Sequence, residues 1–258
     1  MPIDFSAPAN RDAYGGRHAD TSWREEVRAV LDPTELDVAD VGFGAGVYSR
    51  AWAELGAASV VGVDSSPVML SAAEEGTRGS DRLRFVLGDA AATTLPSASV
   101  DVVYERALVQ HVPDLRSVVT EARRLLRPRG RYSVQDGTAD DMRRPAGPRQ
   151  LRGYLFEVSP RLLDVELARR PDLEVLTGLL REAGFDVSSW TLWELRTVHP
   201  DRDAHLAEVA QRRGRSLLHE LDDGEIGRLV HALAARLLAG EPVEGTDRWT
   251  LWIGVLPS

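Results

Sequence analysis

Residues 38–49, VADVGFGAGVYS, decide the fold. Val38, Ala39 and Val41 put apolar side chains on both faces of a short run, the pattern of a strand buried in a parallel sheet. Gly42, Gly44 and Gly46 then strip the following turn of the side chains that would hold a ligand away from the backbone. Val47 onward reads as a helix start, whose free N–H groups face such a ligand. This order of strand, glycine turn and helix predicts a nucleotide-like cofactor at the turn.

The spacing of the glycines separates two cofactor classes. A dinucleotide fingerprint asks for G-x-G-x-x-G, and counted from Gly42 its third glycine falls on Val47. The pattern here is D-x-G-x-G-x-G, starting at Asp40. The next apolar run, Val60-Val61-Gly62-Val63, ends in Asp64, an acidic residue placed to accept from both hydroxyls of a ribose.

Strand patterns near 38–42, 60–64, 83–87, 100–104 and 131–135 alternate with helical ones. Ser22-Trp23-Arg24-Glu25 reads as a capping box, and Asp114 as the cap of a helix carrying Leu115, Val118, Val119, Ala122, Leu125 and Leu126. Such alternation predicts a doubly wound parallel sheet with ligands at the carboxyl ends of its strands. Asp40, Asp64, Asp89 and Tyr104 all fall at or near those ends.

On these residues, and on Phe85-Val86-Leu87-Gly88-Asp89-Ala90, Leu95-Pro96, Ser99-Val100-Asp101-Val102-Val103 and Leu125-Leu126-Arg127-Pro128-Arg129-Gly130-Arg131, the chain resembles the class I S-adenosylmethionine-dependent methyltransferases. The likeness is to the methyltransferase-11 or UbiE-like group and runs from about Tyr14 to Asp136. It implies a seven-stranded, mostly parallel, Rossmann-like α/β sheet with an antiparallel last strand. It also implies S-adenosylmethionine as cofactor, with Asp40, Gly42, Gly44 and Gly46 at its amino-acid end, and Asp64 with Ser65 at its ribose. Asp89 and the Ala90 N–H would meet the adenine, and Arg106 the methionine end. Met69 is expected against the adenine, with core packing as the alternative. Tyr14 and Arg17 are expected in a lid, near the sulfonium and the cofactor carboxylate, the alternative being a loop in which Tyr14 only packs. Two residues depart from the family pattern: Phe43 stands where Cys is common, and Arg129 where Gly is common. Phe43 is expected to narrow the amino-acid pocket, and Arg129 to mark a turn that needs no positive φ.

Methyl transfer to an oxygen or nitrogen that carries a proton benefits from a base. His111, shortly after the fourth strand, is the catalytic candidate, a structural hydrogen-bonding histidine being the alternative.

Composition bounds the partners. The 258 residues, 43% of them apolar, fit one α/β domain with additions. No apolar run approaches the roughly 18 residues of a membrane span, and no charged-then-apolar leader opens the chain, so a cytosolic protein, monomeric or homodimeric, is expected. The absence of cysteine excludes disulfides and thiolate metal sites. All 31 basic residues are Arg, which excludes phosphate-loop, Schiff-base and general-base lysines. A net charge of −9 disfavours nucleic acid, and Arg143, Arg144, Arg149 and Arg152 read as a solvated patch.

Beyond the core, residues 1–36 are expected to form a lid and first helix, and 37–136 the cofactor-binding core. Residues 137–170 and 199–246 read as helical acceptor-site additions around a strand at 187–198, with 247–258 as the last strand. One helix carries Ile226, Leu229, Val230, Leu233, Leu237 and Leu238. Tyr154, Phe156, Glu157, His199 and His219 are acceptor-site candidates. Glu157 and Asp136 are further carboxylates for a cationic or hydroxylated acceptor, with solvated carboxylates as the alternative. Trp190, Trp193 and Trp249 are expected in the core. The function expected is methyl transfer to a small molecule, at oxygen or nitrogen. Methylation of tRNA or a peptide, a non-catalytic cofactor-binding subunit and a nicotinamide-dependent dehydrogenase stand as alternatives.

Overall fold

The computed structural model describes residues 19–77 and 80–258; Tyr14 and Arg17 lie outside them. The first elements are α1 (Thr21–Val30), β1 (Asp37–Val41), α2 (Val47–Glu54), β2 (Ser59–Asp64), α3 (Pro67–Gly76), β3 (Leu83–Leu87), β4 (Val100–Arg106), α4 (Leu115–Leu125) and β5 (Leu126–Asp136). They are followed by α5 (Ala139–Met142), α6 (Leu151–Val158), α7 (Arg161–Arg169), α8 (Leu173–Glu182), β6 (Asp186–His199), α9 (Arg202–Ala210), α10 (Asp223–Arg236) and β7 (Val243–Val255). The seven strands form one sheet in the order β3-β2-β1-β4-β5-β7-β6. β1 to β5 pair in parallel, and β7 runs antiparallel to both β5 and β6.

The alternation of side chains along β1 sends Val38 to one face and Ala39 and Val41 to the other. The first face packs on Trp23 and Val27 of α1 and Ala51 and Trp52 of α2. The second packs on Val119, Ala122 and Leu125 of α4 and Leu176 and Leu180 of α8. A third apolar cluster lies apart from the sheet, where α6 and α7 meet α9 and α10 through Leu155, Leu162, Val209, Leu229 and Leu233. The stretch between β6 and β7 is therefore a helical cap that shares a core with α6 and α7, separate from those of the sheet. Leu238 lies beyond α10 and is 74% exposed.

Several sequence expectations are corrected. α1 is capped by Asp20, whose carboxylate accepts from Trp23 N, while Ser22 sits inside the helix and donates to Asp20. The carboxylate is the stronger acceptor for the free N–H groups, so it displaces the serine two residues later. Arg129 does adopt a positive φ, 65°, because the chain must turn there into the sheet beside Gly130, where an added Cβ would lie 2.8 Å from the Arg127 carbonyl oxygen. Trp190 and Trp193 are 43% and 41% exposed, since β6 is the sheet edge. β7 begins at Val243, earlier than its apolar pattern indicates.

The ladder between β6 and β7 slips between Leu195 and Thr197, making Arg196 the extra residue of a β-bulge. None of the described helices is long and apolar enough to cross a membrane.

Candidate active site

The glycine turn takes three positive φ values in a row at alternate positions, 76° at Gly42, 56° at Gly44 and 71° at Gly46. Their surroundings differ. A Cβ on Gly42 would press on Leu108 at 2.9 Å, and one on Gly46 on Ala73 and Phe85 at 3.0 and 3.1 Å. A Cβ on Gly44 would meet nothing within 4 Å. It would project into a cleft of about 460 Å³ at the carboxyl ends of the strands.

One end of the cleft is lined by Asp40, Gly42, Gly44, Asp64, Ser65, Met69, Asp89 and Ala90, with Arg106 and His111 farther along. Gly46 is not among the lining residues; it caps α2 and makes room for Phe85. Phe43 lines the cleft but stacks its ring on Phe85, centroids 4.7 Å apart, in a cluster with Met69 and Ala73. Gly62 makes that pairing possible, since a Cβ there would lie within 2.7 Å of both rings.

Asp64 ties the turn to β2. One carboxylate oxygen accepts from Gly44 N at 2.9 Å and the other from Ser66 N at 2.9 Å. Burial raises its pKa even so. Asp40 is deeper, accepts from Ser49 Oγ, and is pushed up to about 7 by burial, with the Asp64 charge adding to the shift. Asp89 accepts from Ala91 N at 2.7 Å, which fixes the loop after β3. Tyr104 turns away into the core and hydrogen-bonds Gln135 at 2.8 Å. His111 closes a 3-10 turn after β4 and is held near 4 by burial and by the charges of Arg169 and Arg170, so its imidazole is neutral at neutral pH.

The other end of the cleft is built from residues that sequence reasoning gave no acceptor role. Arg106 pairs with buried Glu194 and lies over the rings of Tyr48, at 4.2 Å, and Trp249, at 4.5 Å. Burial would push the Glu194 carboxyl up, but Arg106 and Arg196 hold it below its ordinary value. Asp247 takes Arg152 at 2.8 Å, both terminal nitrogens of Arg215 at 2.9 Å, and Arg196 at 3.8 Å. Gly214 to Leu217 of the helical cap complete the wall. A second cavity of about 610 Å³ beneath the cap meets the cleft at Arg196, Gly214, Arg215 and Asp247.

The sequence-derived acceptor candidates lie elsewhere. Tyr154 and Phe156 are buried in the helical cluster, and Glu157 is exposed and paired with Arg236 at 3.1 Å. His199 lines the second cavity, bonded to Glu208 at 2.6 Å, and His219 sits on a 3-10 turn of the cap. Asp136 is buried on Arg170 at 2.6 Å. The supposed arginine patch is dispersed: Arg143, Arg144 and Arg149 pair locally with Asp140, Trp193 and Glu244, whereas Arg152 is inside the cleft wall. The missed residues pair across long sequence separations; inward charges on otherwise apolar strands signal Glu194, Arg196 and Asp247, and nothing local signals Arg152 and Arg215.

With the cleft so built, its relatives can be compared. The methyltransferase-11 family, a methyltransferase domain, matches residues 39–134. The chain is 30% identical over 195 residues to a ubiquinone/menaquinone biosynthesis C-methyltransferase UbiE of Acidiphilium cryptum, covering 65% of this chain and 74% of that one. It is 30% identical over 201 residues to the nocamycin O-methyltransferase of Saccharothrix syringae, 69% and 68% covered. Among solved structures, a putative methyltransferase from an antibiotic biosynthesis pathway of Anabaena variabilis superposes with a TM-score of 0.70 at 20% identity, over 90% of this chain and 96% of that one.

Proposed function

Since the chain belongs to the class I S-adenosylmethionine-dependent methyltransferases of the methyltransferase-11, UbiE-like group, we propose that it methylates a small-molecule acceptor at oxygen or nitrogen. S-adenosylmethionine is its cofactor and supplies a methyl group already activated on a sulfonium, so the protein's work is alignment and exclusion of water. Membership of this family sets the dehydrogenase alternative aside.

The residues present fit that cofactor. Gly44 leaves open the space a side chain would fill, and the backbone N–H groups of Gly44, Ser65 and Ser66 do not exhaust the roughly four lone-pair sites of Asp64. On this reading Asp64 and Ser65 take the ribose, Asp89 and Ala90 the adenine with Met69 against its face, and Asp40, Gly42 and Gly44 with Arg106 the amino-acid end. Tyr14 keeps its proposed place near the sulfonium, and Arg17 its place at the cofactor carboxylate. Gly46 serves the turn itself.

The observation that carries the small-molecule reading is the wall that the helical cap adds at the acceptor end. The cap residues Gly214 to Leu217 wall a cleft whose volume lies within the range of about 300–1,000 Å³ typical of small-molecule sites. His111, neutral and on the cleft wall, accepts a hydrogen bond from the acceptor's O–H or N–H and orients it for in-line attack.

Calorimetry tests the cofactor assignment: S-adenosylhomocysteine should bind and NAD should not. A screen of phenols, amines and hydroxy acids for released S-adenosylhomocysteine tests the acceptor class, and turnover with tRNA or a peptide alone would overturn it. His111→Ala should lower turnover at least tenfold, about 1.4 kcal/mol, with S-adenosylhomocysteine affinity unchanged. Equal loss of both would assign His111 to the fold.

A further inference from the structure

The acceptor end of the cleft gathers more guanidiniums than carboxylates. Arg152, Arg196 and Arg215 line it, Arg106 stands where it meets the cofactor's amino-acid end, and the carboxylates within ion-pair distance of these four among the described residues are Glu194 and Asp247. Four guanidiniums on two carboxylates leave two positive charges unmatched, in a chain whose net charge is −9. The side chains concerned are only 6% to 18% exposed, so water neutralises little of that excess.

A second, independent observation concerns hydrogen bonds. Arg106 Nε, Arg196 Nε and Trp249 Nε1 are buried N–H groups with no acceptor among the described residues. Arg152 donates to the thioether of Met142 at 3.0 Å, a weak acceptor. Buried donors are ordinarily satisfied, and N–H groups left over after Glu194 and Asp247 have taken their share are complemented by a ligand that brings acceptors. Burial pushes Arg152 down to about 10, and the Arg215 and Arg170 charges add to that shift against the pull of Asp247.

We infer that the methyl acceptor carries, apart from the O–H or N–H that is methylated, an anionic carboxylate or phosphate group held by Arg152, Arg196 and Arg215 at the junction of the two cavities. The inference rests on the methyltransferase reading of the cleft. The cofactor strengthens it, because its ammonium and sulfonium outnumber its carboxylate and add positive charge to the same space. The planar forks of the guanidiniums suit either oxyanion bidentately.

The test uses the full chain saturated with S-adenosylhomocysteine, at constant ionic strength, with benzoate, inorganic phosphate and benzamide as probes. Benzoate or phosphate at about 10 mM should raise the thermal midpoint by about 2 °C or more, and benzamide should not. A response to benzoate alone assigns a carboxylate, and to phosphate alone a phosphate. Arg215→Gln and Arg152→Gln should each erase the response while leaving S-adenosylhomocysteine affinity within about twofold. No response to either anion, or an equal response to benzamide, overturns the inference, and both are read on the unmutated protein. A tenfold loss of S-adenosylhomocysteine affinity in the variants also overturns it, by handing the cluster to the cofactor's own carboxylate. Failure of the unmutated protein to bind S-adenosylhomocysteine would instead strike the reading on which the inference rests.

Discussion

Asp40 sits where burial and charge act on one carboxyl. Its pKa is about 7 in the folded chain against an ordinary 3.8. Between those values the folded protein keeps a proton that the unfolded chain has released, so its contribution to stability is full below about pH 4 and lost as pH rises through 7. Asp40→Asn removes that loss. In urea unfolding of the cofactor-free protein, the stability of the variant relative to the parent should rise with pH by up to about 1.4 kcal/mol per unit across this window. A flat difference would mean that Asp40 is solvated. His111 and His205, held near 4 by burial, act in the opposite sense, and the paired comparison cancels them. Arg129 is the other residue under local strain, an exposed side chain at φ 65°. Left-handed backbone costs a non-glycine residue about 1–2 kcal/mol, and glycine's extra freedom in the unfolded chain returns about half of that. Arg129→Gly should therefore stabilise the protein by up to about 1 kcal/mol, read from the same unfolding curves.

At the scale of elements, the glycine turn separates packing from binding. Gly44→Ala places a methyl group where the protein has no atoms, so the cost to folding should be only the backbone term of about 1–2 kcal/mol. Affinity for S-adenosylhomocysteine should fall tenfold or more, and calorimetry beside thermal melting distinguishes the two. Unchanged affinity would move the cofactor away from Gly44. The same turn explains why so much of the fold was legible. Its glycines, the apolar strands and the aspartates ending them are local signals, and all lie within short stretches of chain. β7 was read short because its inward positions begin Val243, Gly245, Asp247, where a glycine and a charge break the apolar period. Glu194 and Arg196 do the same on β6. Charges at inward strand positions conflict with folding rules, and here they mark the acceptor end of the cleft.

On the whole-molecule scale, that end is assembled from β4, α6, the β6 bulge, the cap and β7. Arg106, Arg152, Arg196, Arg215 and Asp247 share no motif, so no spacing announces them. The cap folds on its own apolar cluster, apart from the two faces of the sheet. Leu229→Ala, at a fully buried position, should cost about 2–5 kcal/mol there. Hydrogen exchange should quicken in α9 and α10 and remain unchanged in β1 to β5, with turnover falling more than cofactor affinity. Uniform quickening would show that cap and sheet unfold together. The bulge at Arg196 also decides which insertions the architecture can absorb. A strand alternates with period two, so one residue gained or lost in β6 ahead of the bulge would turn Arg196 to the opposite face. Whole turns of helix can enter or leave the 43 residues between His199 and Val243 without disturbing that register. A single-residue change in β6 ahead of the bulge therefore re-aims Arg196, whereas the cap can change length without doing so.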